Sequence, residues 1–192
     1  MSAHEHGRAH GRAHGFDTEA EAARLEREAE GLLDEVERAA ALLAGAAGRR
    51  GVDVRRVLDI GCGPGVATCV LAQQFRSATV VAVDSSPTML EHAAARAARL
   101  GPAARVETRR VDLPDAVDTL GRADVAWASM VLHHVGDERA VLRALRELLV
   151  PSGLLAVVEH APMRDALHDS DFVLLGDEPL GDTRRLSVAA PA

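Results

Sequence analysis

The sequence predicts an α/β protein, a three-layer sandwich with helices on both faces of a mostly parallel sheet. Three observations carry this. From residue 55 onward, short apolar runs alternate with helical patterns. A crossover helix returns the chain to the same end of the sheet, so such alternation makes neighbouring strands parallel. The run Thr79–Val83 is almost wholly β-branched, which suits a strand buried on both faces. A glycine-rich turn, Gly61-Cys62-Gly63-Pro64-Gly65, joins the first strand to the next helix. Open parallel sheets bind ligands at that end of their strands.

The chain has 192 residues, a length that suits one domain. Residues 1–16 read as a disordered tail. They repeat His-Gly-Arg-Ala at His6–Ala9 and His10–Ala13 and begin it again at His14. Histidines four apart would share one helix face, but the glycines oppose a helix there. Residues 17–192 form the folded unit, with its core over 55–160.

Thr18 followed by Glu21 has capping-box spacing. One helix is expected to follow, with an apolar stripe through Leu25, Ala29, Leu32, Leu33, Val36, Ala40 and Leu43. It either covers the sheet or also closes a cleft. Val57–Ile60 is the first strand, and a helix runs through Val70, Leu71 and Phe75. Thr79–Val83 is the second strand. Ser86 caps the next helix, Pro87 suits its first turn and Gly101 its end. Arg105–Val111 is a weaker third strand and Asp124–Ser129 a fourth. Asp137 or a neighbour caps a helix carrying Val141, Leu142, Leu145, Leu148 and Leu149. Pro151 and Gly153 stop it, and Leu154–Glu159 is a fifth strand. Only 33 residues remain after Glu159. Asp171–Leu175 and Arg184–Val188 could form an abbreviated strand pair across Asp177–Asp182. Alternatively the sheet stops at five strands, leaving an edge that a second copy would cover as a homodimer.

Composition removes several function classes. Aromatic residues are 2 % of the chain and tyrosine is absent, so an aromatic cage is hard to assemble. A net charge of -7 opposes a broad nucleic-acid-binding face. Cys62 and Cys69 do not form a Cys-x-x-Cys pair, so neither a disulfide framework nor a metal site is expected. Cys62 reads as a loop residue that contributes its backbone, and Cys69 as buried packing. No early segment resembles a signal peptide, and no apolar run reaches the roughly 20 residues of a membrane helix. The expected compartment is the cytoplasm, with no membrane partner.

The glycine turn belongs to a nucleotide-type site. Asp84 ends the second strand, nineteen residues beyond Gly65. A carboxylate there can accept hydrogen bonds from both hydroxyls of a ribose. Dinucleotide sites use Gly-x-Gly-x-x-Gly/Ala. Here the third glycine comes one position early and Val66 holds the last slot. Asp59, two residues before the turn, would repel a pyrophosphate but attract an ammonium or sulfonium. A nicotinamide-dependent oxidoreductase is therefore disfavoured.

Val57-Leu58-Asp59-Ile60-Gly61-Cys62-Gly63-Pro64-Gly65 resembles motif I of the class I methyltransferases that use S-adenosyl-L-methionine (SAM). The likeness continues through Val83–Leu90, Asp124–Val135 and Leu148–Leu154, departing at Ser152, where a second glycine is usual. It covers about residues 55 to 160 and implies a Rossmann-like fold, SAM as cofactor and a small-molecule acceptor. Carried onto matching positions, it sets Gly61, Cys62, Gly63 and Gly65 against the methionine and ribose. Asp59 would anchor the amino group and Asp84 the ribose. Ser85 and Met89 would flank the adenine. Asp112 would accept from the adenine amino group, with Leu113 beside it. Ser129 and Met130 would face the reacting methyl. Met89 has a second reading as helix core, and Asp112 as the start of the Pro114 turn. His133 and His134, after the fourth strand, are the candidate bases for an acceptor that must lose a proton. The alternative is a degenerate or truncated SAM-binding module without turnover.

Overall fold

The computed structural model describes residues 18–192; the repeat-bearing tail lies outside them. Two helices lead, α1 (Glu19–Glu30) and α2 (Leu33–Arg49). Five strands then alternate with helices: β1 (Arg56–Ile60), α3 (Val66–Gln74), β2 (Thr79–Asp84), α4 (Pro87–Leu100), β3 (Val106–Arg110), β4 (Ala123–Ser129), α5 (Glu138–Leu148) and β5 (Leu149–Glu159). Helix α6 (Arg164–His168) leads into β6 (Phe172–Leu180) and β7 (Arg184–Pro191). The seven strands form one sheet in the order β3-β2-β1-β4-β5-β7-β6. Strands β1 to β5 pair in parallel, and β7 runs antiparallel between β5 and β6. This is the mostly parallel three-layer sandwich expected from the alternation.

Alternate residues of each strand enter opposite layers. Val57, Val80, Val125, Trp127, Leu154 and Val188 pack with Leu43, Ala47 and Leu71 of α2 and α3. Leu58, Ile60, Val81, Val83, Leu155 and Val157 pack with Val141, Leu142 and Leu145 of α5 and Leu167 of α6. Reversal of strand order between β1 and β4 opens a crevice at their carboxyl ends.

The helix ends follow the sequence signals. Ser86 Oγ accepts from Met89 N at 3.2 Å, Pro87 opens α4, and Gly101 closes it in the left-handed region at φ 97°. Asp137 accepts from Ala140 N at 2.9 Å at the start of α5. Thr18 Oγ1 accepts from Glu21 N at 3.2 Å.

Three expectations are corrected. The first helix is two helices. The chain breaks at Gly31 and Leu32, because glycine is a poor helix former. The two halves of the apolar stripe then serve different surfaces. Pro151 and Gly153 do not separate α5 from a later strand. Strand β5 begins at Leu149, and its pairing jumps from Ala123↔Leu149 to Val125↔Leu154, so residues 150–153 bulge. Proline tolerates a bulge, where its missing N–H costs no ladder bond. A Cβ on Gly153 would lie 2.9 Å from the Val150 carbonyl oxygen, which fixes glycine at that bend.

The C-terminal strand pair is not abbreviated, and the sheet does not stop at five strands. Strands β6 and β7 form a hairpin of nine and eight residues, joined through Gly181, Asp182 and Thr183. Their apolar content is thin because β6 is an edge strand. Its partner β7 supplies the buried Leu186, Val188, Ala189 and Ala190. A polar pair adds a cross-strand tie, Arg185 Nη2 to Asp177 Oδ2 at 3.0 Å.

Candidate cofactor and acceptor cavity

The crevice is roofed by the N-terminal helices and encloses about 1150 Å³. That exceeds the roughly 300–1,000 Å³ of an ordinary single-ligand pocket, which leaves room for a cofactor and an acceptor together. Helix α2 covers the sheet with Ala39, Ala40 and Leu43. Helix α1 turns Leu25 and Ala29 into the cavity, with Leu32 at the break and Val36 and Ala39 from the first turns of α2. The N-terminal segment therefore does both things open to it in the sequence.

At one end stands the glycine turn. Gly61 has φ 67°, and a Cβ on it would lie 2.3 Å from Val131 Cγ2. Only glycine lets the segment after β4 pass this close. Asp84 organises the turn from the end of β2. Its Oδ2 accepts from Gly63 N and its Oδ1 from Ser86 N, each at 2.9 Å. The carboxylate thus fixes the glycine turn against the start of α4.

Asp59 is almost fully buried. Thr68 Oγ1 donates to its Oδ2 at 2.5 Å. Burial pushes its carboxyl up to about 7, against the bond from Thr68 and with help from nearby Asp84. A buried carboxylate in this state is stabilised by an arriving cation. Burial also pushes the Cys62 thiol up, reinforced by Asp59 and Asp84. Cys62 N donates to the Val83 carbonyl at 2.9 Å. The residue serves through its backbone, and its thiol is held protonated.

Ser85, Met89, Asp112 and Leu113 line the same end of the cavity, with Arg110. Arg110 Nε donates to the Ser85 carbonyl at 3.0 Å. Gly65 is set back from the residues that line the cavity. It has φ 81°, and a Cβ there would lie 2.7 Å from Ala93 Cα. Its lack of a side chain lets α3 start against α4, so it supports the turn from behind.

The other end gathers Ser129 at the end of β4, Met130, His133 and His134 after it, His160 after β5, and Leu180 and Arg184 of the hairpin. A buried acid orders the first of these histidines and the backbone before it. Glu159, at the end of β5, accepts from Leu132 N at 2.9 Å through Oε1 and lies 2.8 Å from His133 Nδ1 through Oε2. A carboxylate on Nδ1 fixes that nitrogen as the N–H and leaves Nε2 as the basic one. The His133 side chain is 41 % exposed, while that of Glu159 is 6 % exposed. The rings of His133 and His134 lie 3.9 Å apart.

Glu159, His160, Trp127 and Arg184 all line or serve this end, and the sequence reading did not single them out. For Glu159 a cue existed: strands four and five are neighbours, so an acid ending one sits beside residues following the other. Among the described residues, no group of three His, Cys, Asp or Glu side chains is placed to hold a metal. Nor is any described helix long and apolar enough to cross a membrane.

The comparisons agree with this geometry. The family described as the methyltransferase domain matches residues 58–155. A trans-aconitate 2-methyltransferase of Methylobacterium radiotolerans is 42 % identical over 105 residues, covering 54 % of this chain and 37 % of that protein. The enzyme of that name from Variovorax paradoxus is 32 % identical over 142 residues, covering 70 % and 51 %. The matched stretches thus span about a third to a half of these relatives' own length. The solved structure of the mitomycin 7-O-methyltransferase MmcR superposes with a TM-score of 0.71 at 20 % identity, covering 91 % of this chain and 58 % of that one. That likeness concerns the fold. With more than half its length matched by the family, and with the turn, the acid ending β2 and the strand order all in place, this chain belongs to the methyltransferase-domain family, the class I SAM-dependent methyltransferases.

Proposed function

We propose that this chain transfers a methyl group from SAM to an oxygen of a small-molecule acceptor, with His133 taking the acceptor's proton. The observation that carries the reading is the His133–Glu159 pair, at 2.8 Å, in the same cavity as the glycine turn.

The donor end fits SAM. Asp59 is a buried carboxylate with no cationic partner among the described residues and would hold the ammonium. Asp84 would take the ribose hydroxyls, and Gly61, Cys62 and Gly63 present backbone rather than side chains. Ser85, Met89, Asp112 and Leu113 would border the adenine, and Ser129 and Met130 the transfer region. When bound, SAM supplies an activated methyl on a sulfonium. The chain's own work is then positioning, which can supply much of the acceleration. An oxygen acceptor must also shed a proton, and His133 Nε2 is the group free to receive it. Glu159 balances the imidazolium that results, as an orienting carboxylate does in other catalytic pairs. The His134 ring lies against that of His133, tilted by 46°, and helps fix it. Helices α1 and α2 close the cavity over the acceptor, which favours a small molecule over a macromolecule.

The test is a SAM-turnover screen against metabolite pools, with mass spectrometry reading a gain of one methyl. A methylated hydroxyl that is lost in His133→Ala supports the reading. Binding of S-adenosylhomocysteine (SAH) with no turnover on any pool would replace it with a binding module. Trans-aconitate, named for the relatives, belongs in the screen as a contrast. Its carboxylates carry no proton at neutral pH, so their methylation would survive His133→Ala.

A further inference from the structure

We infer that Arg96 of α4 is a positioning residue: it latches α1 over the cavity, and through α1 it sets how long the bound cofactor stays. The inference rests on the methyltransferase reading for the identity of that cofactor. It adds a residue and a moving part that the transfer chemistry does not use.

Helix α1 is attached unlike the rest of the fold. Ala22 is its one buried residue, and none of its residues joins an apolar cluster among the described residues. Helix α2, by contrast, buries Ala39, Ala40, Leu43, Ala46 and Ala47. Charge holds α1 instead. Arg96 is 6 % exposed, and its Nη1 donates to Glu26 Oε1 and to Glu30 Oε1, each at 2.7 Å. Arg99 Nη2 lies 3.1 Å from Glu26 Oε1. His92 lies 3.0 Å from Glu19 through Nε2 and 3.6 Å from Glu26 through Nδ1. These groups form two facing stripes. His92, Arg96 and Arg99 recur at helical spacing on α4, as do Glu19, Glu26 and Glu30 on α1, so each set shares one face.

The stripes lie beside the ligand surfaces. Leu25 and Ala29, on the adjoining face of α1, line the cavity, and so does Met89, one turn before His92 on α4. Helix α1 ends at Gly31, and α2 starts afresh at Leu33. The break lets α1 turn while α2 stays packed on the sheet. Ion pairs suit a part that must release. An apolar face would lose its whole burial on opening. Glu19, Glu30 and Arg99 are already exposed, so they regain water at little cost. Arg96 is the strong member, because one buried cation makes charge-assisted bonds to two acids of α1. While it holds, Leu25 and Ala29 wall the cavity and slow the departure of what lies inside.

Hydrogen exchange of the full chain, read by mass spectrometry over residues 19–30, tests the latch without a ligand. Arg96→Met keeps a long side chain and removes the cation. Its α1 amides should exchange at least roughly tenfold faster than the parent's, the effect of losing hydrogen bonds to charged groups, while those of α2 and the sheet stay as they were. In the parent, raising NaCl from about 0.05 M to about 1 M should also speed α1 exchange, and this response should shrink in Arg96→Met. Glu26→Gln, which leaves α4 intact, should reproduce the faster exchange and serves should Arg96→Met not fold. Labelled SAH, chased with unlabelled SAH, should leave either variant roughly three- to tenfold faster than it leaves the parent. Equal α1 exchange in the parent and the folded variants, or a rise spread evenly over α2 and the sheet, would overturn the latch. Unchanged SAH departure from variants whose α1 exchanges faster would overturn its hold on the cofactor. If the parent does not bind SAH while α1 exchange responds as expected, the methyltransferase reading falls and the latch stands. If SAH binds and α1 exchange does not respond, the latch falls alone.

Discussion

The two ends of the cavity are built in different ways. The donor end is local. Gly61, Cys62 and Gly63 follow β1 directly, and Asp84 of the adjacent strand accepts from Gly63 N of the turn and from Ser86 N at the start of α4, each at 2.9 Å. Its parts are mostly backbone, so a short stretch of sequence determines their geometry. The acceptor end is assembled from α1, α2, the segment after β4, the end of β5 and the β6–β7 hairpin. Its parts are side chains, brought together only by the finished sheet. Backbone sites suit an invariant cofactor, and side-chain sites suit an acceptor that differs from one enzyme to the next.

The largest expected break in this comparison is His133→Ala. It should lower kcat by roughly 10²–10⁴-fold, the usual contribution of a positioned base, and leave SAH affinity unchanged. Turnover by SAH release and binding by calorimetry check the two halves of that statement. Asp84→Ala should act on the other end, weakening SAH binding by about 100-fold or more. It removes the proposed acceptor of the ribose hydroxyls together with the acceptor of the Gly63 and Ser86 amides. An Asp84→Ala protein with wild-type SAH affinity would show that β2 does not define the donor end.

A smaller effect separates the glycines within the donor turn. Gly65→Ala should cost about 2–4 kcal/mol in denaturant unfolding, combining left-handed strain with a clash. The clash is with Ala93 Cα, 2.7 Å from the new Cβ. Gly63→Ala meets nothing within 4 Å and carries φ 50°, so it should cost only about 1–2 kcal/mol, from strain alone. Equal costs would mean that Gly65 does not hold α3 against α4.

The smallest effect concerns pH. The Asp59 carboxyl is raised to about 7 in the fold, from an ordinary 3.8. The folded chain therefore holds this proton more tightly than the unfolded one. The stability this contributes is full below the unfolded value and is lost as pH rises through about 7. Above that, a bare buried carboxylate remains, which the ammonium of SAM would compensate. The rise in melting temperature on adding SAM should be larger at about pH 8 than at about pH 6. An equal rise at both would place the ammonium elsewhere.

What the sequence made legible divides along the same line. The strand-helix alternation, the caps at Ser86 and Asp137 and the donor turn are short-range features, and the structure contains each of them. The packing of Gly65 against Ala93 is not legible locally, because Ala93 lies on a different helix and no local pattern announces it. The strand pair after Glu159 looked abbreviated because β6 is an edge strand and carries few buried residues. Its pairing is visible only once β7 is seated on β5. The break at Gly31 was hidden by an apolar stripe that runs through it, since periodicity does not show which surface each half will meet. Histidines 133 and 134 were legible from their place after the fourth strand. Their partner Glu159, 26 residues from His133, required the β4–β5 pairing. Arg184 and Glu35 required the whole fold.

The central claim is that donor and acceptor are held by separable ends of one cavity. Isothermal calorimetry with SAH on three proteins, the parent chain, Asp84→Ala and His133→Ala, tests it most directly. The parent and His133→Ala should bind SAH alike, while Asp84→Ala should lose about 100-fold or more. Failure of the parent to bind SAH, or equal losses in the two variants, would contradict it.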